Sequence, residues 1–298
     1  SALNDYWSGN FEDAIRTVDS HPSRNDRRLM ETVAQEWACG MSLCGLGRFR
    51  EALDRFMPQF ERVERVGNWF FMNRYLNTIG WLYNEIQCFD EAIIWNTRGL
   101  EHAFSAPTVD MEVVSHARLN LAESYLGQGS TAEAEEQLRQ VEQTVRHPTE
   151  REQMARFNYS MRFFHVLGEV RLLQGELDAA MGLADECLAL AQENFRKKYV
   201  ARGLGLRGRV KIAGGDREEG VDDLQECVAL ARELRDPTLL WKSLSALGDA
   251  LQSTGVDGAP DAYDEAAQLI EKIAVELDEK LRAVFVDSPN IQRLLTRS

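Results

Sequence analysis

The sequence predicts an all-α solenoid: about seven helix pairs, closed at the C-terminal end by a capping helix or helices. A short pattern of small residues recurs along the 298 residues, and proline is scarce, with 7 residues. Hydrophobic residues make up 44% of the chain, which is enough to bury a large core and argues against disorder. Because the core of a solenoid grows by stacking, this length needs no second domain.

The recurring pattern places a small residue on one helix, a turn residue after it and a second small residue on the next helix. One clear copy is Gly168, Gly175 and Ala180, with Leu177 pinning the turn to the core. The two small residues lie where the helix backbones approach most closely, so larger side chains would hold the helices apart. The middle glycine supplies the left-handed conformation that ends a helix. The closing small residues of the seven pairs are Ala14, Ala52, Ala92, Ala134, Ala180, Gly220 and Ala262.

Prolines mark the breaks between pairs. Pro22, Pro107, Pro148 and Pro237 each stand near the start of a new helix, where proline is tolerated. Pro58 differs because it falls inside the second helix of the second pair, and we expect it to kink or shorten that helix.

These small, turn and closing residues resemble the tetratricopeptide repeat, in which a small residue, Tyr or Leu, Gly, an aromatic residue and Ala stand at these offsets. The resemblance covers nearly the whole chain. Three features depart from the family: the period exceeds its usual length of about 34 residues, Gly220 replaces an alanine, and Arg217 replaces an aromatic residue. The resemblance implies a right-handed superhelix in which the first helix of each pair lines a concave groove.

The tail carries a second resemblance. Leu281-Arg282, Phe285, Ser288-Pro289 and Leu294-Leu295 are similar to the string that closes bacterial multidomain signalling proteins, in which a cyclase, kinase or ATPase domain precedes a tetratricopeptide array. The resemblance extends to the repeat regions of large transcriptional regulators. We expect residues 1–275 to form the array and residues 276–298 to form a cap that covers the end of its core. We also expect Ser1 and Ala2 to be a cloning remnant and the chain to be a piece of a longer protein.

Charge and cysteine content exclude several classes of function. The formal charge of −14 argues against a nucleic-acid partner, which requires a basic face. No apolar run approaches the length of a membrane span, so we expect a soluble, cytoplasmic protein without a membrane partner. The five cysteines form no C-x-x-C pair and the five histidines stand at no ligand spacing, so the sequence predicts no metal and no cofactor.

The segment Gly203 to Gly208 matches G-x-G-x-x-G, but a charged helical stretch precedes it instead of a strand. We therefore interpret its glycines as helix-packing residues and not as a dinucleotide site. No Ser/His/Asp set or other catalytic constellation stands out, so the sequence predicts a binding protein without enzymatic activity. Cys187 and Cys227 occupy equivalent places in two repeats, where a buried thiol acts as a small hydrophobic group.

Offsets from the first-helix small residues predict which side chains face the groove. The position six before the small residue is basic or potentially basic in five of six repeats. Together with the positions three before and one after, it gives an apolar, aromatic N-terminal half and a mixed charged C-terminal half with a row of bases. The candidate groove residues are Trp37, Met41, Arg74, Asn77, Trp81, His116, Glu123, Arg162, His165, Glu169, Arg202, Arg209 and Lys242.

Two interpretations of the basic row remain open. It binds an extended protein or peptide that carries acidic side chains or a free carboxylate, or each base pairs with an acid such as Glu123 or Glu169 on a neighbouring first helix. A second basic run, Arg196 to Lys211, either docks another domain of the parent chain or is a solvated face beside acids such as Glu219 and Asp223. Trp69 or Phe70 is a candidate exposed anchor for a partner.

The predicted function is therefore a regulatory or scaffold module that binds a protein segment, or a neighbouring domain, through its concave face. Two alternatives differ in class. A wet pocket near Arg162, His165 and Glu169 would make the array a sensor of a small ligand. The aromatic run and the short first pair would instead make a homodimer surface.

Overall fold

A computed structural model describes residues 2–7, 9–20, 29–153 and 157–297 of the chain. Within these ranges the regular elements are all helices, which pair in sequence and end in two short capping helices, as predicted. Pro22 lies outside the described residues. The helices are α1 Ala2–Trp7, α2 Phe11–Ser20, α3 Leu29–Gly45, α4 Phe49–Val66, α5 Trp69–Glu85, α6 Phe89–Ser105, α7 Met111–Gly127, α8 Thr131–Arg146, α9 Glu150–Gln153, α10 Phe157–Leu173, α11 Leu177–Glu193, α12 Lys197–Gly214, α13 Arg217–Leu234, α14 Pro237–Thr254, α15 Ala259–Glu276, α16 Glu279–Val286 and α17 Pro289–Leu295.

The seven pairs are α1/α2, α3/α4, α5/α6, α7/α8, α10/α11, α12/α13 and α14/α15, numbered here as pairs 1 to 7. The predicted turn glycines adopt the left-handed conformation, as at Gly47 (φ 76°) and Gly175 (φ 77°). In pair 3 the same position is Gln87, which takes φ 58° without a glycine. The turn geometry of the repeat is therefore kept even where the sequence departs from its pattern.

The small residues lie at close approaches between the two helices of a pair. A Cβ added to Gly208 would stand 2.8 Å from the carbonyl oxygen of Gly220, and one added to Gly220 would stand 2.8 Å from that of Gly208. Both Gly208 and Gly220 therefore allow α12 and α13 to touch backbone to backbone.

The three glycines of the G-x-G-x-x-G match all lie within the helix α12. An added Cβ would stand 2.7 Å from the Leu188 side chain at Gly203 and 3.2 Å from Cys227 Sγ at Gly205, so these two glycines also serve helix packing.

Pro58 does not shorten its helix, although shortening was one of the two effects that we expected of it. The helix α4 runs for 18 residues from Phe49 to Val66 with Pro58 inside it. Pro58 and Asp54, four residues earlier, are both exposed. The carbonyl that loses its helical donor is therefore on the solvent side, where water can satisfy it, and the apolar face of α4 remains intact.

Amide side chains join pairs 3 and 4 in a way that the repeat pattern does not predict. Asn77 of α5 donates to the Val113 carbonyl at 2.8 Å, and Asn84 donates to the Asn120 carbonyl at 2.8 Å. Asn120 of α7 donates back to the Asn77 carbonyl at 2.8 Å. These bonds lie in the buried interface between successive first helices, so they fix how pair 4 stacks on pair 3.

The two ends of the solenoid meet along a seam, which we define as the contact between pairs 2 and 3 on one side and pairs 6 and 7 with the cap on the other. At Gly47, an added Cβ would stand 2.6 Å from the Pro237 side chain, and Asn290 donates to Gln87 at 3.1 Å. Buried residues from both ends, such as Phe56 and Tyr263, belong to one apolar core. The array therefore closes into a ring.

Replacing Gly208 with Ala is expected to lower the free energy of unfolding by about 1–3 kcal/mol, because the new methyl group meets backbone that cannot move aside cheaply. Gly182 is the matched control: it is an exposed helical glycine whose added Cβ would meet nothing within 4 Å. There, Ala should raise stability by about 0.5–1 kcal/mol. Urea unfolding of both variants checks the contrast, and equal effects would contradict it.

Candidate functional site

Closure of the ring leaves a chamber of about 610 Å³ on the concave side. Its wall is formed mainly by the first helices of pairs 3 to 7, and α17 of the cap contributes Asn290 and Arg293. First helices line the concave side because the second helices form the outer layer of each pair. The chamber is therefore the groove predicted from the repeat, narrowed by contact between the two ends.

Glu123 of α7 stands at the centre of the charges in the chamber. Arg162 of α10, whose side chain is only 7% exposed, donates to Glu123 through Nε at 3.2 Å and also through Nη2. Arg202 of α12 approaches Glu123 at 3.3 Å and Glu85 of α5 at 3.7 Å. Arg202 thus connects pair 6 to pairs 3 and 4 through the interior.

A second group of charges lies beside the first. Arg209 of α12 donates to Glu169 of α10, and His165, one turn earlier on α10, places Nε2 3.4 Å from the same carboxylate. Asp249 of α14 accepts from Arg297 and lies 3.7 Å from Arg293. Acids and bases therefore alternate around the wall, and every one of these contacts except that of His165 with Glu169 links different elements.

Burial and pairing set the ionisation of these groups. Burial alone would raise the pKa of Glu123, but Arg162 and Arg202 outweigh it and hold that pKa well below its usual range. Burial likewise opposes the ionised form of Glu169, and Arg209 is the main group that keeps its pKa low. Burial lowers the pKa of His165 to about 4, although Glu169 acts in the other direction. At neutral pH both carboxylates are charged and His165 is neutral.

Several polar groups of the wall have spare hydrogen-bonding capacity. Trp241 is 4% exposed and Thr238 is 1% exposed, and neither the indole Nε1 nor the threonine Oγ1 has a partner. Lys242 is 39% exposed and its one recorded ion pair, to Glu85, is long at 4.0 Å. A buried donor without a partner lowers the stability of the fold, so a bound ligand that accepts hydrogen bonds from this side of α14 would be favoured.

The structure brings together six of the thirteen candidate groove residues. They come from pairs 4 to 7, where the repeat offsets place side chains on the chamber wall. They are Glu123, His165, Glu169, Arg202, Arg209 and Lys242.

The other seven lie elsewhere. Trp37 donates to Thr78 at 2.8 Å, Met41 is buried, and Trp81 packs against the core that joins the two ends, with Lys198 over its ring at 5.7 Å. Trp81 is therefore used to close the ring, whereas Trp37 joins pair 2 to pair 3 on one side of the seam.

The remaining members are held by neighbouring helices. Arg74 packs on the Phe70 ring at 3.6 Å and lies 3.5 Å from Asp110. His116 packs edge-on against an aromatic ring of α10. Asn77 belongs to the amide contacts between pairs 3 and 4, and Arg162 is buried against Glu123 behind the wall.

The offsets missed residues that continue the same helix face. Glu85 stands four residues after Trp81, and the corresponding helix ends in pairs 4 and 5 also line the chamber. The i, i+4 spacing of a helix was the signal that would have found Glu85. Trp241 carried no such signal, because its unpartnered Nε1 depends on the packing around α14.

Pairing also accounts for the second basic run. Arg207 donates to Asp223 at 2.7 and 2.8 Å, Lys198 donates to Asp236 at 2.7 Å, and Lys197 approaches Glu233 at 2.5 Å. The interpretation as a solvated face beside acidic neighbours is therefore supported for Arg207 and Lys197, whereas Lys198 lines the chamber and pairs with the buried Asp236. Cys187 and Cys227 are both buried.

The proposed anchors are exposed, Trp69 by 40% and Phe70 by 55%. Trp69 stacks on His102 with ring centroids 4.2 Å apart. In the described part of the chain no helix combines the length and apolar character needed to cross a membrane.

His116 of α7, which packs against α10, predicts how stability depends on pH. Burial, with Arg162 and Arg74 nearby, lowers the pKa of His116 from 6.5 to about 3. The unfolded chain therefore binds more protons below about pH 6.5, and stability falls as the pH falls. When the pH is lowered from 7 to 5, the free energy of unfolding of His116→Gln should fall by about 2 kcal/mol less than that of the native chain. Urea unfolding at both pH values checks this.

The control is the same substitution at the exposed His147, which removes an imidazole without touching the contacts of His116. Parallel pH profiles for His116→Gln and the native chain would contradict the burial of a neutral His116.

No family model and no curated protein matches the sequence. Solved structures do match. A Rap protein complexed with competence and sporulation factor is 14% identical, with 97% of this chain and 86% of that chain covered and a TM-score of 0.59. Aspartyl phosphate phosphatase F from Bacillus subtilis is 11% identical, with coverage of 91% and 74% and a TM-score of 0.53.

A third match is a signal transduction ATPase with numerous domains from Pyrococcus horikoshii, described as having a tetratricopeptide repeat sensor. It is 14% identical, with a TM-score of 0.51, and the match covers 96% of this chain but 42% of that protein. At these identities the likeness shows the fold alone. The fold of this chain is that of a tetratricopeptide-repeat solenoid, as the sequence pattern predicted.

Proposed function

We propose that this chain is a non-catalytic interaction module that binds a partner segment in the chamber on its concave face. The charge of the wall carries the proposal. Five cations and four carboxylates line the chamber, so its wall has an excess of positive charge, although the chain as a whole has a net charge of −14. The cations are Lys198, Arg202, Arg209, Lys242 and Arg293, and the carboxylates are Glu85, Glu123, Glu169 and Asp249.

The partner segment should present an acidic side chain or a free carboxylate. Arg202 and Arg209 are already engaged by carboxylates, whereas Lys242 and Arg293 are 39% and 55% exposed and have ion-pair distances of 4.0 and 3.7 Å. Charge-assisted hydrogen bonds to a ligand carboxylate would be shorter and stronger than these contacts. Lys242 and Arg293 are therefore the residues that first meet the partner.

A comparison supports a peptide-like partner. The structurally similar Rap protein was solved in complex with competence and sporulation factor, and the sensor of the Pyrococcus horikoshii ATPase is a tetratricopeptide repeat. By analogy, the partner of this chain is a short segment of another protein or of a neighbouring domain in a longer parent chain. A second copy of this chain remains the alternative partner.

The size of the chamber favours a second candidate, a small ligand. Its volume of about 610 Å³ lies within the range of roughly 300–1,000 Å³ that is typical of small-molecule sites. The unpartnered donors of Trp241 and Thr238 would then fix the orientation of the ligand. A ligand of this kind would stabilise the fold in proportion to RT ln(1 + [L]/Kd), which a thermal-shift screen measures.

Selection from a random octapeptide library tests the proposal. The native chain should enrich acidic peptides, and the double substitution Lys242→Glu and Arg293→Glu should weaken them at least tenfold, about 1.4 kcal/mol. The control reverses two exposed charges away from the chamber, Arg16→Glu and Arg139→Glu, whose side chains are 76% and 62% exposed. A control variant that also fails to enrich acidic peptides would contradict a binding site in the chamber. So would a native chain that enriches no acidic peptides.

A further inference from the structure

Glu85 is a buried carboxylate at the seam. It ends α5 of pair 3, is 5% exposed, and faces cations from two other pairs across the ring. Arg202 of pair 6 lies 3.7 Å away through Nη2, and Lys242 of pair 7 lies 4.0 Å away. One carboxylate on the N-terminal side therefore ties together two helices of the C-terminal side.

The other polar contacts across the seam are weaker. Lys280 of the cap lies 3.7 Å from Glu91, but the side chains are 82% and 42% exposed. Asn290 and Gln87 share one neutral hydrogen bond. An exposed ion pair contributes little because water and salt screen it, whereas separating a buried carboxylate from its cations leaves an uncompensated charge. Lys198 over the Trp81 ring, at 5.7 Å, is a further contact across the seam. Among the described residues, Glu85 therefore contributes the ion pairs of the seam that have a buried carboxylate.

The same two cations belong to the chamber. Arg202 and Lys242 both line its wall, and Glu85 lines it beside them. An anionic group that enters the chamber must therefore share these cations with Glu85 or replace it. If Glu85 loses both partners, its carboxylate is left unpaired at 5% exposure, and separating the two sides of the seam would bring it into water.

We propose that Glu85 is a latch that keeps the ring closed, and that an anionic ligand group releases it by taking Arg202 and Lys242. The ligand in this proposal rests on the proposed function, whereas the latch itself does not. Because the ligand and Glu85 compete for the same cations, binding and closure are linked in both directions. Removing the charge of Glu85 should open the ring and also strengthen the binding of acidic peptides.

Native cysteines provide a probe of the seam. Cys44 and Cys88 are 3% and 2% exposed. Charged groups from the opposite side of the seam act on both thiols: Lys198 and Asp236 on Cys44, and Asp278 and Lys280 on Cys88.

Each thiol also has a carboxylate on its own side of the seam. Burial raises the pKa of both thiols, Glu85 raises the pKa of the Cys44 thiol further, and Glu91 does the same for the Cys88 thiol. Each thiol is therefore a probe only in a variant that keeps its own neighbouring carboxylate.

Cys39 is an internal reference. It is fully buried, and the charged groups around it, such as Arg55 and Glu36, come from pairs 1 and 2 alone. Opening of the seam would therefore uncover Cys44 and Cys88 but not Cys39.

Alkylation by N-ethylmaleimide, resolved by mass spectrometry under native conditions, tests the latch. In Glu85→Gln, the labelling rate of Cys88, whose neighbouring carboxylate Glu91 is kept, should rise at least tenfold relative to Cys39. Glu91→Gln is the matched control, because it removes the exposed ion pair at the same seam and should leave the ratio of Cys44 to Cys39 unchanged. An unchanged ratio of Cys88 to Cys39 in Glu85→Gln, or an equal rise at both thiols, would overturn the latch.

Should Glu85→Gln not fold, Glu85→Asp gives the same readout, because it keeps the charge but withdraws it from both cations by one methylene group. Its Cys88 should again react faster relative to Cys39, and a native ratio of the two would overturn the latch.

Peptide affinity tests the competition. Acidic octapeptides selected on the native chain should bind Glu85→Gln at least threefold more tightly, and equal binding would overturn the competition while leaving the proposed function in place. If no acidic peptide binds either chain but the seam thiols respond as expected, the proposed function and the competition fail and the latch stands.

Discussion

Burial of both ends of the solenoid in one apolar core is the constraint on which the rest of the structure depends. The contact of Gly47 with Pro237 and the shared core around Phe56 and Tyr263 bring pair 2 against pair 7. A solenoid without this contact would present an open groove along its whole length. Here the contact buries apolar residues of the groove and leaves a chamber beside the charged half. Closure therefore determines both where the site lies and which residues form it.

Closure also explains why the charges of the concave face are paired. Arg202 reaches Glu123 two pairs away and Glu85 three pairs away, which only a ring allows. Ionised groups removed from water need partners, and the low pKa of Glu123 is the consequence of its two guanidinium neighbours. The two interpretations of the basic row are thereby reconciled in part. Arg162 and Arg202 are internally paired, whereas Lys242 retains capacity for a partner.

The sequence predicted the local structure well, because its signals are local. Small residues such as Gly208 and Gly220 report close helix contacts, and helical spacing placed Glu169 and Arg209 on the chamber wall. What it did not predict depends on contacts between distant parts of the chain. Nothing local indicates that Trp81 would meet Lys198 across a seam, so Trp81 was assigned to a part of the groove that closure removes. For the same reason Glu85 was overlooked.

Ring closure is tested most directly by a distance across the seam in solution. Glu91 and Lys280 are well suited, since their side chains are exposed, lie on opposite sides of the seam and come within 3.7 Å of each other. Nitroxide labels on Glu91→Cys and Lys280→Cys, measured by pulsed electron paramagnetic resonance, should give one short and narrow distance distribution. A long or broad distribution in the native-like double variant would contradict closure, and with it the chamber.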